Sequence, residues 1–413
     1  MKACWPSTPS AEASVSSPGT PAFAFCARGD VRNPAAYSGA PSSVLRSLAA
    51  LGATPEVIDT ELPAPFQRIA TNLLALAFTS PAEAIAALGA PRQMRLAVRS
   101  RKPTVTASRE MFLLLSAVAA ARLRRRPEIV QAVQFGSEYR LPDHVSYVTL
   151  DDATILQLRR CYDYEWMRTV SGRLLDGMIA RQRAVFRRAR ACCFLNHWAA
   201  RSAVEDYGVP AERVHVVGAG ANREIVAAER DWSQPRFLFV AMDFERKNGG
   251  RLLTAFSRVR ADHPQARLDV VGRHPPVNGE GIVGHGLLRL DDEDEKRRLS
   301  RLFAESTCLV LPSLLEPTGN VHAEALAAGI GSIGTRRGGV STLIGDAGVT
   351  IWPEDVDSLA AAMSRFCDPA VAREYGERAR RRAPLFTWRA VAERLLRALR
   401  PPGVDADALA AFL

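Results

Sequence analysis

Two stretches of this chain repeat one pattern, short apolar runs alternating with helix-like segments, and that pattern limits the fold more than any other feature. In the first stretch the runs are FAFCA, PEVID, EIVQAVQF, VSYVTL, CCFL and RVHVVG. Between some of them lie SSVLRSLAALG, PFQRIATNLLALAF and WAARSAVEDYG, with serine caps and closing glycines of the helical kind. In the second stretch RFLFVAM, RLDVVG, GIVGHG, CLVLPS, IGSIGT and VTI alternate with GRLLTAFSRV, EDEKRRLSRLFA and AEALAAG. Runs this short and this apolar suit strands buried on both faces, and parallel strands need a helix to cross between them. The fold expected is α/β, with two Rossmann-like, doubly wound domains in series. One continuous helix is expected over about residues 165–190, and three helices should close the chain, the last within LFTWRAVAERLLRAL.

The Ser-, Pro- and Ala-rich residues 1–20 read as a disordered tail, and 21–220 as the first domain. ANREIVAAERDWSQP at 221–235 interrupts the alternation and reads as a connector. The second domain follows over 236–385, and helices over 386–413 could pack back on the first. A length of 413 residues agrees with two domains, and 47% apolar with 24% charged residues lets each bury a core.

Seven cysteines, an odd number without a CxxC pair, point to a reducing compartment, so a cytoplasmic location is expected. No apolar run approaches the roughly 18 to 20 residues that span a bilayer, and MFLLLSAVAAA at 111–121 reads as a core helix. The net charge of +10 is uneven. Between Arg92 and Arg126 ten basic residues face one acid, Glu110, and RQRAVFRRAR at 181–190 adds a second cluster. Such a face suits anionic lipid at the inner face of a membrane, or an acidic acceptor, although a solvated arginine-rich surface gives the same pattern. Nucleic acid is not expected, because aromatic residues are not interleaved.

Chemistry concentrates at the ends of the apolar runs. In LVLPSLLEPTGNVHAEALAAG, Glu316 stands in a strand-to-helix loop and Glu324 in the first turns of the helix. Helix N-termini at the carboxyl edge of a parallel sheet attract anions, while carboxylates accept hydrogen bonds from sugar hydroxyls. From these residues alone, Glu324 could equally be favourable charge at a helix start and Glu316 a solvated loop residue. RKNGG at 246–250 places Arg246 and Lys247 ahead of a helix, and Gly39 in AYSGAP occupies the corresponding loop of the first domain. Asp151 and Asp152 in TLDDAT end another strand, as acid groups or as helix caps. DDEDE at 291–295 reads as a helix start. The seven histidines form no HExxH or paired spacing, so no metal centre is expected.

In order and spacing, FVAMDFERKNGGRLLTAF, LDVVG, LVLPSLLEPTGNVHAEALAAG and GTRRGGVSTLIGDAGV resemble the successive motifs of retaining nucleotide-sugar glycosyltransferases with the GT-B fold and a group-1, family 4-like C-terminal domain. SGAPSSVLRSLAALG and YGVPAERVHVVGAGAN resemble the first glycine loop and the end of the N-terminal domain. The resemblance implies a nucleotide-sugar donor, no further cofactor, and a hydroxyl acceptor that is a saccharide, a lipid-linked compound or a small molecule. It implies that Glu324 meets the donor ribose, Glu316 the transferred sugar, and Arg246 with Lys247 the diphosphate. Gly39 would approach that diphosphate, and Thr318, Gly319 and Asn320 would line the sugar pocket. Thr318 replaces an aromatic residue common in the family, and Thr342 replaces a glutamate. A histidine often found on the acceptor side has no obvious counterpart here; Asp151 and Asp152 are the nearest polar groups. A phosphorylase-like enzyme, a sugar-nucleotide epimerase, or a non-catalytic relative that binds a partner or a membrane would share this fold.

Overall fold

The computed structural model describes residues 23–33, 36–77, 101, 103–161, 165–223, 225, 230–289 and 291–400. The expected tail, Arg92, Arg95, Arg99, Lys102 and the final thirteen residues lie outside them.

The first sheet contains β1 Phe23–Ala27, β2 Glu56–Asp59, β3 Gln131–Phe135, β4 Ser146–Asp151, β5 Ala191–Phe194 and β6 Val214–Val216. Their order is β2-β1-β3-β4-β5-β6, every neighbouring pair parallel. The second contains β7 Arg236–Ala241, β8 Arg267–Gly272, β9 Ile282–Gly286, β10 Cys308–Leu311, β11 Gly331–Thr335 and β12 Gly348–Ile351. Its order is β12-β11-β10-β7-β8-β9, again parallel. All five residues of β1 and all four of β10 are buried, as double-sided coverage requires. Strand alternation sorts β1: Phe23, Phe25 and Ala27 join one apolar cluster, Ala24 and Cys26 another on the opposite face.

Each sheet reverses direction once. The chain winds outward from β7 to β9 and then from β10 to β12, so the reversal falls between β7 and β10. In the first sheet it falls between β1 and β3. Crevices open at such points, at the carboxyl ends of the strands, and these are the default ligand positions of the fold. Five helices bear on these crevices and on the cores beneath them: α1 Ala40–Ala50, α2 Ala64–Ala77, α3 Gly249–Asp262, α4 Asn320–Ala328 and α5 Trp388–Leu399.

The last of these returns to the first domain. Trp388, Val391, Ala392, Leu395 and Leu399 of α5 share a core with Phe23, Phe25, Val44, Leu48, Val133 and Val148. Arg394 Nη1 also donates to the carbonyl of Val217 at 2.7 Å. The expected connector is likewise built into its surroundings. Arg230 donates to the carbonyls of Phe303, Ala328 and Gly329, and its guanidinium lies over the Trp232 ring, which is buried in the second core.

Two readings of the sequence need correction. The helix expected over 165–190 is interrupted, running as Glu165–Arg168 and then Gly172–Arg188. Thr169, Val170, Ser171 and Gly172 are poor helix formers, and Val170 turns inward to pack with Ala107, Met167 and Leu175. The arginines of 181–190 are also not a free basic face. Arg181 donates to the carbonyl of Ala107, Arg183 to Asp206, Arg188 to Leu141 and Pro142, and Arg190 to Leu399. Arg122 and Arg126 pair with Asp59 and Glu56 of β2.

Because α5 contributes to the first core, truncating it should destabilise a domain that lies nearly two hundred residues upstream in the chain. Leu395 is fully buried, and Leu395→Ala should cost about 2 to 5 kcal/mol. Urea unfolding followed by far-UV dichroism should give a lower midpoint for the first domain; an unchanged midpoint would mean that α5 contributes nothing to that core.

Candidate active site

The site begins with the two loops that leave β7 and β10 at the reversal of the second sheet. After β7, Arg246, Lys247 and Asn248 lead into α3, and Asn248 takes a left-handed backbone conformation (φ 65°). Its side-chain amide donates to the carbonyls of Pro312 at 3.1 Å and Pro353 at 2.7 Å, tying this loop to those after β10 and β12. The N–H of Leu314 returns a bond to the carbonyl of Arg246 at 3.0 Å. Neither loop can shift alone.

Across this junction the Lys247 ammonium contacts the Glu316 carboxylate, and both side chains are largely buried. Ser313 Oγ donates to the same carboxylate oxygen at 3.0 Å. The Glu316 backbone is held by Arg337 and Gly339, its N–H donating to the first and its carbonyl accepting from the second, each at 3.0 Å. Gly338 is required opposite it, since a Cβ there would lie 2.1 Å from the Glu316 carbonyl oxygen. Burial pushes the Glu316 carboxyl up, but Lys247, and then Arg246, pull it further down, so it lies below the usual carboxylate range. Burial likewise lowers the Lys247 ammonium.

Gly319 then turns the chain into α4 at φ 70°, where a Cβ would come 2.9 Å from Glu316 Cγ. No side chain caps this helix; the N–H of His322 turns back to the Gly319 carbonyl at 2.8 Å, and the positive end of the helix dipole stands near Lys247. In the first turn of α4 His322 is fully buried, with no hydrogen-bond partner for either ring nitrogen. Burial pulls its pKa down to about 4, so it is neutral at physiological pH.

Glu324 is covered: it is 1% exposed, and its Oε2 lies 3.2 Å from Nη1 of Arg223, a residue of the segment between the sheets.

The opposing wall comes from the first domain. Gly39 caps α1 with φ 78°, and Tyr37 and Ser38 before it also have positive φ, 50° and 54°. The Ser38 carbonyl accepts from Asn320 Nδ2 at 3.5 Å, so the loop carrying Gly39 reaches the start of α4. Asn196 Nδ2 approaches Thr318 Oγ1 at 3.4 Å, and the N–H of His197 donates to Thr342 Oγ1 at 2.9 Å. Asp151 ends β4 and is 8% exposed, while Asp152 follows it at the mouth of the gap. Neither caps the next helix; Thr154 stands there and bonds the N–H of Gln157. Burial holds Asp151 well above the usual carboxylate range, with Glu138 and Asp152 adding to it. The Asp152 side chain is itself exposed, but the protein around the gap partly desolvates its carboxylate and raises it to about 6, with a further push from Glu316 across the gap and from Glu138. Unpaired acids with raised pKa values mark functional clefts more often than plain surface.

The fold therefore brings Arg246, Lys247, Glu316, Thr318, Gly319 and Asn320 together, opposite the loop of Gly39 and the acids Asp151 and Asp152. Asn248, Ser313, His322, Glu138 and Arg223 belong to the same neighbourhood and were not read from sequence. Only Asn248 carried a signal, as asparagine before two glycines tolerates the left-handed region.

Asp152 gives a test with a definite sign. Its folded pKa, about 6, exceeds its ordinary value of 3.8, so the folded state binds the proton more tightly. Its stability contribution is then lost as pH rises from about 4 through about 6. Asp152→Asn should raise Tm at pH 8 and leave it unchanged at pH 4, modestly because the site is solvated. A Tm at or below wild type at pH 8 would contradict the raised pKa.

Comparison with known proteins agrees with this geometry. Residues 234–368 match the family described as Glycosyl transferases group 1. The chain is 28% identical over 242 residues to an MMP alpha-(1->4)-mannosyltransferase of Mycolicibacterium hassiacum, covering 55% of this chain and 58% of that protein. It is 32% identical over 193 residues to a glycogen synthase of Mycobacterium tuberculosis, covering 42% and 45%. The chain thus spans about half the length of the curated relatives it matches. Among solved structures, WaaG, a glycosyltransferase involved in lipopolysaccharide biosynthesis, superposes with a TM-score of 0.57 at 16% identity, covering 92% of this chain and 100% of that one. The chain has the GT-B fold, and its second Rossmann-like domain matches the group-1 glycosyltransferase family over residues 234–368.

Proposed function

We propose that the protein transfers a sugar from a nucleotide diphosphate sugar to a hydroxyl acceptor, with retention of configuration and without a divalent metal. One observation carries this reading: Lys247 and Arg246 stand with the uncapped start of α4 at the reversal of the second sheet, and Glu316 is locked against Lys247. Fixed cations and N–H groups there would meet the diphosphate before the reaction starts, so they stabilise its growing charge without reorganisation. Thr318, Gly319 and Asn320 would border the transferred sugar, and Glu316 would accept from its hydroxyls. Glu324 would accept from the ribose. The acceptor hydroxyl would enter from the wall of Asp151 and Asp152, its proton passing to the leaving phosphate oxygen on the same face of the sugar. Retention follows from that same-face geometry.

The metal-free part rests on charge. Hard divalent cations seek oxygen ligands, and two neighbouring basic side chains at the phosphate position would repel one. Sugar transfer from a panel of UDP, GDP and ADP sugars should persist in excess EDTA. Lys247→Ala should lose about 2 to 4 kcal/mol of transition-state stabilisation, some 30- to 1000-fold in kcat/KM. Activity abolished by EDTA, with Lys247→Ala near normal, would overturn the phosphate assignment, and an inverted anomeric proton signal in the product would overturn retention.

We infer further that the protein works at the cytoplasmic face of an anionic membrane. Phe66, Ile69 and Leu73 are exposed on one face of α2, next to Arg68, and Arg124 and Arg125 add charge from the helix Arg109–Arg124 and its end. Among the described residues no helix is long and apolar enough to cross a membrane. Cosedimentation with anionic vesicles should weaken as salt shortens screening below ~8 Å, and Leu73→Ser should weaken it at every salt concentration. Equal sedimentation with neutral and anionic vesicles would refute this location.

A further inference from the structure

Glu324 poses a problem for any donor that must reach it. At 1% exposure nothing of ribose size can touch its carboxylate, because Asn222 and Arg223 lie over it. The N–H of Asn222 bonds that carboxylate, and the Arg223 guanidinium, on a side chain 15% exposed, closes the remaining side at 3.2 Å. The Asn222 side chain anchors the segment at both ends. Its Nδ2 donates to the Ser38 carbonyl at 2.8 Å, and its Oδ1 accepts from Trp388 Nε1 at 3.0 Å.

We propose that Ala221–Arg223 is a strap over the ribose subsite, and that an incoming donor displaces Arg223 from Glu324. The proposal rests on the reading of Glu324 as the ribose acceptor. A buried ion pair repays its desolvation only when close contact is joined by well-aligned hydrogen bonds. Within the pair they are missing: Arg223 Nε and Nη1 and Glu324 Oε2 have no hydrogen-bond partner, and the Asn222 N–H is left to hold the carboxylate. A ribose diol supplies two hydroxyl donors to the carboxylate, and hydroxyl bonds to an ionised acceptor are among the stronger ones. The released guanidinium is not stranded, since the same ligand carries phosphates.

Displacement has consequences beyond the subsite. The strap bonds Ser38, which with Tyr37 before it has left-handed backbone, and such residues persist only where their surroundings hold them. It also bonds Trp388, the first residue of α5. Donor entry therefore loosens contacts to both the Gly39 loop and the C-terminal helix, and the latched fraction lowers the apparent affinity of the free protein.

Hydrogen exchange read by mass spectrometry on the full chain distinguishes this from a passive lining role, because the two predict opposite signs. With saturating UDP, GDP or ADP, whichever binds, the peptide of α4 should exchange more slowly while the peptide containing Asn222 exchanges at least threefold faster. In stopped-flow tryptophan fluorescence, Arg223→Ala should associate with that nucleotide at least threefold faster than wild type, with R223K close to wild type. A strap peptide that is slowed or unchanged while α4 is protected would overturn the strap alone, as would a wild-type association rate for Arg223→Ala. If no nucleotide protects α4, the donor reading fails, and the strap with it.

Discussion

The buried contact between Lys247 and Glu316 fixes the loops on which the rest of the cleft depends. The residues leave β7 and β10, strands distant in sequence but adjacent in the sheet, so the pair exists only because the sheet reverses there. Removing two charges from water is expensive, and the expense is offset by direct contact, by Ser313 and by the nearby Arg246. Asn248 and Leu314 then stitch the loops, and the bridge between Glu316 and Gly338 adds the loop after β11. Three loops are thereby held in one arrangement before any ligand arrives, which is the condition for electrostatic preorganisation.

The facing wall is built on opposite terms. Asp151, Asp152 and Glu138 are held with raised pKa values, and Arg28, the cation that lowers Glu138, is itself bonded to Glu61 at 2.8 Å. Charges of this kind destabilise a fold unless something rigid keeps them in place. Here a buried polar network does so. Gln182 accepts from the N–H of Ile155 and donates to Ser137 Oγ, and Thr154 Oγ1 lies 2.8 Å from Ser202 Oγ. The loop that follows Asp152 is therefore positioned by side chains from the helix Gly172–Arg188 and the helix His197–Glu205. The cleft carries a basic floor and an acidic rim, as the proposed transfer from an anionic leaving group to a hydroxyl acceptor would require.

Much of the site was legible because its signals are local. Two glycines after Arg246-Lys247-Asn248, a glycine between the two glutamates, and an apolar run before each loop are encoded by contiguous residues. They fix backbone conformation through sterics and burial that hardly depend on the partner. The arginines resisted the same treatment. A run such as RQRAVFRRAR reads as a charged face, yet its guanidiniums mostly cap carbonyls at helix ends and loops, since Arg has five donors and buries its stem readily. Charge counted along a chain says little about where it ends up.

The sequence by itself determined the two alternating α/β units, the glycine-bearing loops at their strand ends and the identity of the charged groups there. All of these follow from periodicity, double-sided burial and the conformations that glycine permits. Only the tertiary structure decided that Glu324 is covered by Arg223, that Asp152 faces Glu316, that the helix near 169 breaks, and that α5 completes the core of the first domain. Each of these depends on which residues from distant parts of the chain share a dry space. A buried carboxylate must find whatever cation the fold brings near it, and no local pattern records which one that will be.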